Sequence, residues 1–331
     1  MLTYLIISVV LAVLPLVVRT ERMTNFIAAL FFLVQVAGIA LVMVYDRVDS
    51  VMLSIFRADS MALLFHALMT VVLGFSLLHS SSYLKAENVS TRSYKTYYTL
   101  LMLLAVAITC VYYSDNIAMT WVFLEATTIC SAGIIYHREF QQSLEATWKY
   151  VMVCTVGICL ALLGTILVYY IQLTNIGPAN PLNWLYLAQH VDGIDPAMAK
   201  FAFCFLFVGY GTKVGLAPMH AWLPDAHSEA PALTSGLLSG SLCICAIYVL
   251  IRNIIILLPS IGVDFISGLC LFFGLFTVAA AVPFVLVQRD VKRMLAYSSM
   301  ENFGLMVAGL GLFVPVAAQA MLLHMFNHAL V

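Results

Sequence analysis

Eleven apolar runs, most of them near twenty residues long, constrain this chain more than any other feature. They lie near 2–18, 25–44, 60–81, 96–113, 116–136, 147–173, 199–217, 232–257, 262–287 and 293–313, with an eleventh from Pro315 onward. A helix needs about 20 mostly apolar residues to cross the hydrocarbon layer, and it satisfies its own backbone hydrogen bonds there. The predicted class is all-α: a polytopic integral membrane protein with about ten complete transmembrane helices plus a truncated eleventh. The eleventh run is still apolar at Val331, where its last carbonyls would lack partners in lipid. The sequence is therefore expected to be a fragment of a longer chain. Its start, Met1-Leu2-Thr3-Tyr4, has no basic segment, and no cleavage site follows the first run. It reads as a retained helix and not as a signal peptide.

Composition agrees. Apolar residues make up 63% of the chain and charged residues 9%, against roughly 45–50% and about 25% in soluble domains. The formal net charge of −1 offers nothing to nucleic acid, which is excluded as a partner. The expected surroundings are the lipid bilayer. The cysteines Cys110, Cys130, Cys154, Cys159, Cys204, Cys243, Cys245 and Cys270 all fall in apolar runs and form no C-x-x-C pair or cluster-ligand spacing. They read as small hydrophobes at helix contacts. No metal and no redox cofactor is expected in this chain, so any electrons would be handled by another subunit.

Basic residues set the orientation. With the N-terminus outside, ten lie in inside loops (Arg19, Arg22, Lys85, Arg92, Lys95, Arg138, Lys149, Arg289, Lys292, Arg293) and four outside (Arg47, Arg57, Lys200, Arg252). The N-terminus is therefore expected to be extracytoplasmic in a cell (inner) membrane, with the polar 174–199 loop on the same side.

The seventh run is irregular. Gly209, Gly211 and Gly215 lead into Pro218, followed by Pro224 and Pro231. Proline removes a donor and clashes with the preceding turn, so a break is expected at Ala217-Pro218. Broken helices often line transport sites, although a simple packing kink gives the same pattern.

Charges within spans cost at least ~2.5–3.5 kcal/mol and are functional candidates by default. Glu125 sits mid-way along the fifth run, Lys213 just before the break, and Glu301 well inside the tenth. Burial disfavours both charged forms and pairing favours them, so a Glu125 that moves relative to Lys213 could switch the lysine between holding and releasing a proton. A static ion pair is the competing reading. His220 and His227 flank the segment after the break, and His324 and His328 are four residues apart on one helical face. Proton relay suits them, since histidine titrates near pH 6.5. Packing and metal binding remain the alternatives, the second without the further ligand and glutamate of a zinc hydrolase motif. His66 and His79 read as ordinary helix–helix contacts.

The stretch Lys213-Val214-Gly215-Leu216-Ala217-Pro218-Met219-His220-Ala221-Trp222-Leu223-Pro224-Asp225-Ala226-His227-Ser228-Glu229-Ala230-Pro231 closely resembles the signature of the antiporter-like subunits of respiratory complex I. The same signature occurs in multisubunit sodium/proton antiporters and membrane-bound nickel–iron hydrogenases. A second stretch, from Asp290 through Lys292, Arg293 and Tyr297 to Glu301, Asn302 and Gly304, looks like that family's second fingerprint. Its Tyr297-Ser298-Ser299-Met300-Glu301-Asn302 form is most similar to the hydrogenase-4 component F and formate hydrogenlyase branch. His324 and His328 resemble the start of the family's eleventh helix.

The resemblance implies a proton path through Glu125 and Lys213, continued by His324 and His328. It implies inverted five-helix repeats around a broken seventh helix. On that pattern, 1–95 holds the first three helices, 96–257 the first repeat, and 262–331 the truncated start of the second. The chain departs from the pattern where many complex I relatives carry an eighth-helix lysine: Ile244 stands there, so water or His220 and His227 would have to bridge. The function implied is a proton-translocating membrane subunit of a redox-driven complex, of the group-4 hydrogenase or formate hydrogenlyase type. It would lack a catalytic centre of its own and assemble with other membrane and peripheral subunits. A complex I subunit, or a subunit of a redox-independent antiporter moving sodium as well as protons, is the alternative.

Overall fold

The structure is a computed structural model and describes residues 2–45, 55–175, 182–189 and 195–331. Arg47 and parts of the 174–199 loop, 176–181 and 190–194, lie outside the described residues. The described elements run α1 (Leu2–Val13), α2 (Glu21–Tyr45), α3 (Ser60–Ala86), α4 (Thr91–Tyr113), α5 (Ile117–Ile135), α6 (Gln141–Asn175), a short α7 (Trp184–Gln189) and α8 (Pro196–Val214). Then come α9 (Trp222–Glu229), α10 (Ala232–Leu237), a π-type stretch (Leu238–Cys243), α11 (Ile244–Ile261), α12 (Val263–Val287), α13 (Val291–Gly311) and α14 (Pro315–Leu330).

The protein is an all-helical, polytopic membrane protein. Eight helical segments among the described residues are long and apolar enough to cross a bilayer. Three of the eleven expected spans fall short of that measure. The first is a short helix, α13 carries the polar second fingerprint, and α14 has only 16 residues.

Polar caps mark where helices begin. Asp59 accepts the Ala62 N–H, Ser90 that of Ser93, Asn116 those of Ala118 and Met119, Asp195 those of Ala197 and Met198, and Asp290 that of Arg293. Each satisfies donors that the first turn leaves free. In the turn between α4 and α5, Asp115 accepts from Asn183 Nδ2 at 2.6 Å. Burial pushes its carboxyl above the usual range, against the opposing effect of that amide.

Helix packing follows the membrane rule that small residues let backbones approach. A Cβ on Gly209 of α8 would come within 2.6 Å of the Gly157 carbonyl oxygen of α6, so these two helices touch backbone to backbone. That contact sets the helix carrying Lys213 against the helix carrying Tyr150 and Thr155. A second polar seam joins the N-terminal helices. Tyr4 donates to Gln35 Oε1 at 2.6 Å, Gln35 donates to Ser8, and His66 lies between Gln35 (3.2 Å) and the Tyr113 hydroxyl (2.8 Å). His66 is thus a buried helix–helix contact, whereas His79 is exposed and bonds the Phe75 carbonyl of its own helix.

Candidate functional site

The break after α8 falls three residues earlier than Pro218. Gly215 adopts a left-handed backbone (φ +92°). Its N–H bonds the carbonyls of Gly211 and Thr212, while the Leu216 N–H returns to Gly211. This is the closing turn that glycine permits most readily. The Ala217–Pro218 peptide is cis. The Ala217 N–H then finds the Thr277 hydroxyl of α12, and the Trp222 indole N–H takes the Thr212 carbonyl, so the unwound backbone has protein partners.

Lys213 therefore sits in the last turn of α8, where a cation also faces the negative end of the helix dipole. Its side chain is 0% exposed. The ammonium donates to Thr128 Oγ1 at 2.7 Å and to the Tyr150 hydroxyl at 2.8 Å. Tyr150 in turn meets Ser131 at 2.6 Å. Glu125 is half-buried and accepts from Thr128 Oγ1 at 3.1 Å and from Thr155 Oγ1 at 3.3 Å.

No direct ion pair joins Glu125 and Lys213. The expected couple is bridged, Lys213 to Thr128 to Glu125, by one hydroxyl that accepts from the cation and donates to the carboxylate. Their spacing on α5 explains it: Thr128 is one turn beyond Glu125 and on the same face. Cys154, Cys243 and Cys245 also lie within electrostatic reach of Lys213.

The two sequence fingerprints meet in space. Asp225 of α9 pairs with Lys149 of α6 at 3.0 Å and with Arg293 of α13. Lys292 donates to the carbonyls of Ser228 and Ala230 at 2.7 and 2.6 Å. These are the orphan acceptors at the end of α9, just before Pro231. Ser239 of the π-type stretch donates to Ser299 at 3.0 Å and meets His328 Nε2 at 2.9 Å.

The remaining candidates divide. His227 is 2% exposed. Its Nδ1 meets Ser235 at 3.0 Å, its Nε2 is buried without a partner, and it lies within electrostatic reach of His328. His324 Nε2 and His220 Nδ1 are likewise buried and unpartnered, the condition in which water usually completes the bonding. Glu301 is half-buried on α13, and no hydrogen bond among the described residues ties it to the others. No group of metal-ligating side chains gathers among the described residues.

The break beside Lys213 was expected from the sequence, whereas the hydroxyl bridge to Glu125 was not. The family model described as "NADH:quinone oxidoreductase/Mrp antiporter, TM" matches residues 114–331. The chain belongs to this family. A hydrogenase-4 component F homolog of Methylacidiphilum infernorum (isolate V4) is 35% identical over 283 residues, covering 84% of this chain and 59% of that protein. The chain thus spans little more than half of that curated relative's length.

Among solved structures, the fold matches a chain of the membrane-bound sulfane sulfur reductase, an archaeal respiratory membrane complex. The TM-score is 0.81 at 23% identity, covering 98% of this chain and 66% of that one. It also matches a chain of respiratory complex I from Thermus thermophilus, with a TM-score of 0.75 at 20% identity, covering 99% and 68%. The antiporter-like membrane subunit expected from the motifs is what these comparisons return.

Proposed function

We propose that this chain carries protons across the membrane as part of a redox-driven complex of the hydrogenase-4 type, with Lys213 as the titrating group. The buried Lys213 ammonium carries the reading. It has no carboxylate in contact, is held by two hydroxyls, and is linked to Glu125 through Thr128. A lysine so placed can give up its proton without leaving a bare ion-pair partner, and Glu125 modulates it at one hydroxyl's remove. His227, His328, His324, His220 and Glu301 supply the onward route, with water at the unpartnered nitrogens. In this reading the first five-helix repeat spans 96–257, the inverted second starts at 262, and the N-terminus faces outside the cell membrane. The 35% identity to a hydrogenase-4 component F homolog supports a hydrogenase as the redox partner.

Substitution of Lys213 in the full-length complex in proteoliposomes tests this. Lys213→Met should abolish driven proton uptake in complexes that still assemble. Lys213→Arg should keep the charge and still block transfer, because arginine effectively never deprotonates. Glu125→Gln should slow uptake. Wild-type pumping by Lys213→Arg would overturn the assignment. Sodium-coupled uptake that needs no redox donor would instead favour the antiporter reading.

A further inference from the structure

A proton on Lys213 must be released towards one side only, yet one line of polar residues runs from it towards the opposite end of the bundle. At that end α4 and α11 finish and α3 begins. Lys213 lies within electrostatic reach of Cys245, and Cys245 within electrostatic reach of Tyr112. Tyr112 packs edge-on to Tyr248 at 5.1 Å, and both meet Phe65 of α3, at 5.9 and 5.2 Å. All three rings are 1% exposed. Arg252 follows one turn beyond Tyr248 and pairs with Asp59, the cap of α3. From Cys245 to Arg252 the climb along α11 is about 10 Å.

We propose that Phe65, Tyr112 and Tyr248, closed by the Arg252–Asp59 pair, form a proton seal that leaves Lys213 open only to the histidine side. This rests on the reading of Lys213 as the proton carrier. The line is chemically blocked at Tyr248 and Arg252. The Tyr248 hydroxyl donates its proton to the Tyr112 backbone carbonyl at 2.7 Å, and a carbonyl cannot pass it on. It accepts from Arg252 Nε at 3.0 Å and Nη2 at 2.8 Å, so its acceptor sites are filled as well. Arg252 does not release its own protons and repels an approaching one. The three rings pack on one another and are all buried.

The contrast with the other side is direct. The buried polar atoms that lack a partner belong to residues such as His220, His227 and His324, and none belongs to this seam. The unsatisfied nitrogens of the histidines are polar atoms that can take up water, and the seam offers no such atom.

The test is passive proton leak through the full-length complex in liposomes. A potassium diffusion potential supplies the drive, an internal pH dye reports, and no redox donor is present. Tyr248→Ala should raise the leak about tenfold or more, equivalent to ~1.4 kcal/mol off the barrier. The added leak should vanish in Tyr248→Ala combined with Lys213→Met. Tyr248→Phe, which keeps the ring, should leak like wild type. If the alanine variant does not assemble, Arg252→Gln carries the test, with the same dependence on Lys213. An unchanged leak overturns the seal, and so does a raised leak that survives Lys213→Met, since that would be a hole unrelated to the carrier. Driven uptake by Lys213→Met, measured alongside, separates the readings: if it pumps, the carrier assignment falls, and if it is dead while Tyr248→Ala stays tight, only the seal falls.

Discussion

Thr128→Val isolates the bridge between Glu125 and Lys213 without touching either charge. Valine matches threonine in volume and branching, so the α5 backbone has no reason to move. Two charge-assisted hydrogen bonds disappear: the 2.7 Å bond from Lys213 and the 3.1 Å bond to Glu125. Bonds to charged groups contribute about 1.5–3 kcal/mol each. Tyr150 still holds Lys213 and Thr155 still holds Glu125, so both ions keep one partner. A net stability loss of about 2–4 kcal/mol follows, nearer the lower figure if water enters. If 2–3 kcal/mol of that loss falls on the transfer step, proton uptake slows by roughly 30- to 150-fold. Thr128→Ser restores the hydroxyl and should restore most of the rate. The assay pairs driven uptake in proteoliposomes with subunit assembly on native gels. An assembled Thr128→Val complex that pumps at the wild-type rate refutes the bridge, and Glu125 must then act on Lys213 through space or not at all.

Two further substitutions probe the break around α9. Gly215→Ala forces a side chain into the left-handed region, at a cost of about 1–2 kcal/mol. It also drives a Cβ against Leu223, so the melting temperature in detergent should fall and pumping with it; an unchanged melting curve would count against the turn described here. Lys292→Met strips the donors from the Ser228 and Ala230 carbonyls. It should cost about 1–3 kcal/mol and loosen α9, measured as faster hydrogen exchange over 222–231, with Lys292→Arg recovering part of the loss. Protection equal to wild type in Lys292→Met would show that Asp225 alone fixes the helix.

Much of this architecture was legible before any coordinates, for identifiable reasons. Spans announce themselves because lipid demands uninterrupted apolar length, and the edges moved by only a few residues when polar caps such as Asn116 and Asp290 were found. The break was visible in its glycines and prolines, but its position was not, because proline advertises a break that Gly215 makes first. Lys213 and Glu125 stood out as charges in apolar runs.

Thr128, Tyr150 and Ser131 did not stand out. Hydroxyl residues are common in membrane helices and most bond their own backbone, as Thr109 and Thr165 do here. The clamp on α9 was equally hidden, since Asp225 lies 76 residues from Lys149 and 68 from Arg293. Neither periodicity nor local spacing can pair positions so far apart. The Tyr112–Tyr248 seam was hidden in the same way, since 136 residues separate its two tyrosines.

The polar seam through α1 to α4 bears on how the chain is made. His66 enters the bilayer when α3 is inserted, but the Tyr113 hydroxyl that meets its Nδ1 is 47 residues further along the chain. Gln35 meets Tyr4 at once, since α1 is already present, yet it waits 74 residues for Thr109. During synthesis the third helix is therefore incompletely satisfied, and a polar side chain facing lipid is costly. The first three helices gain by lingering beside the insertion machinery until α4 emerges and closes the set. The N-terminal helices thus depend, for their own settlement in the membrane, on α4, the helix that precedes the one carrying Glu125.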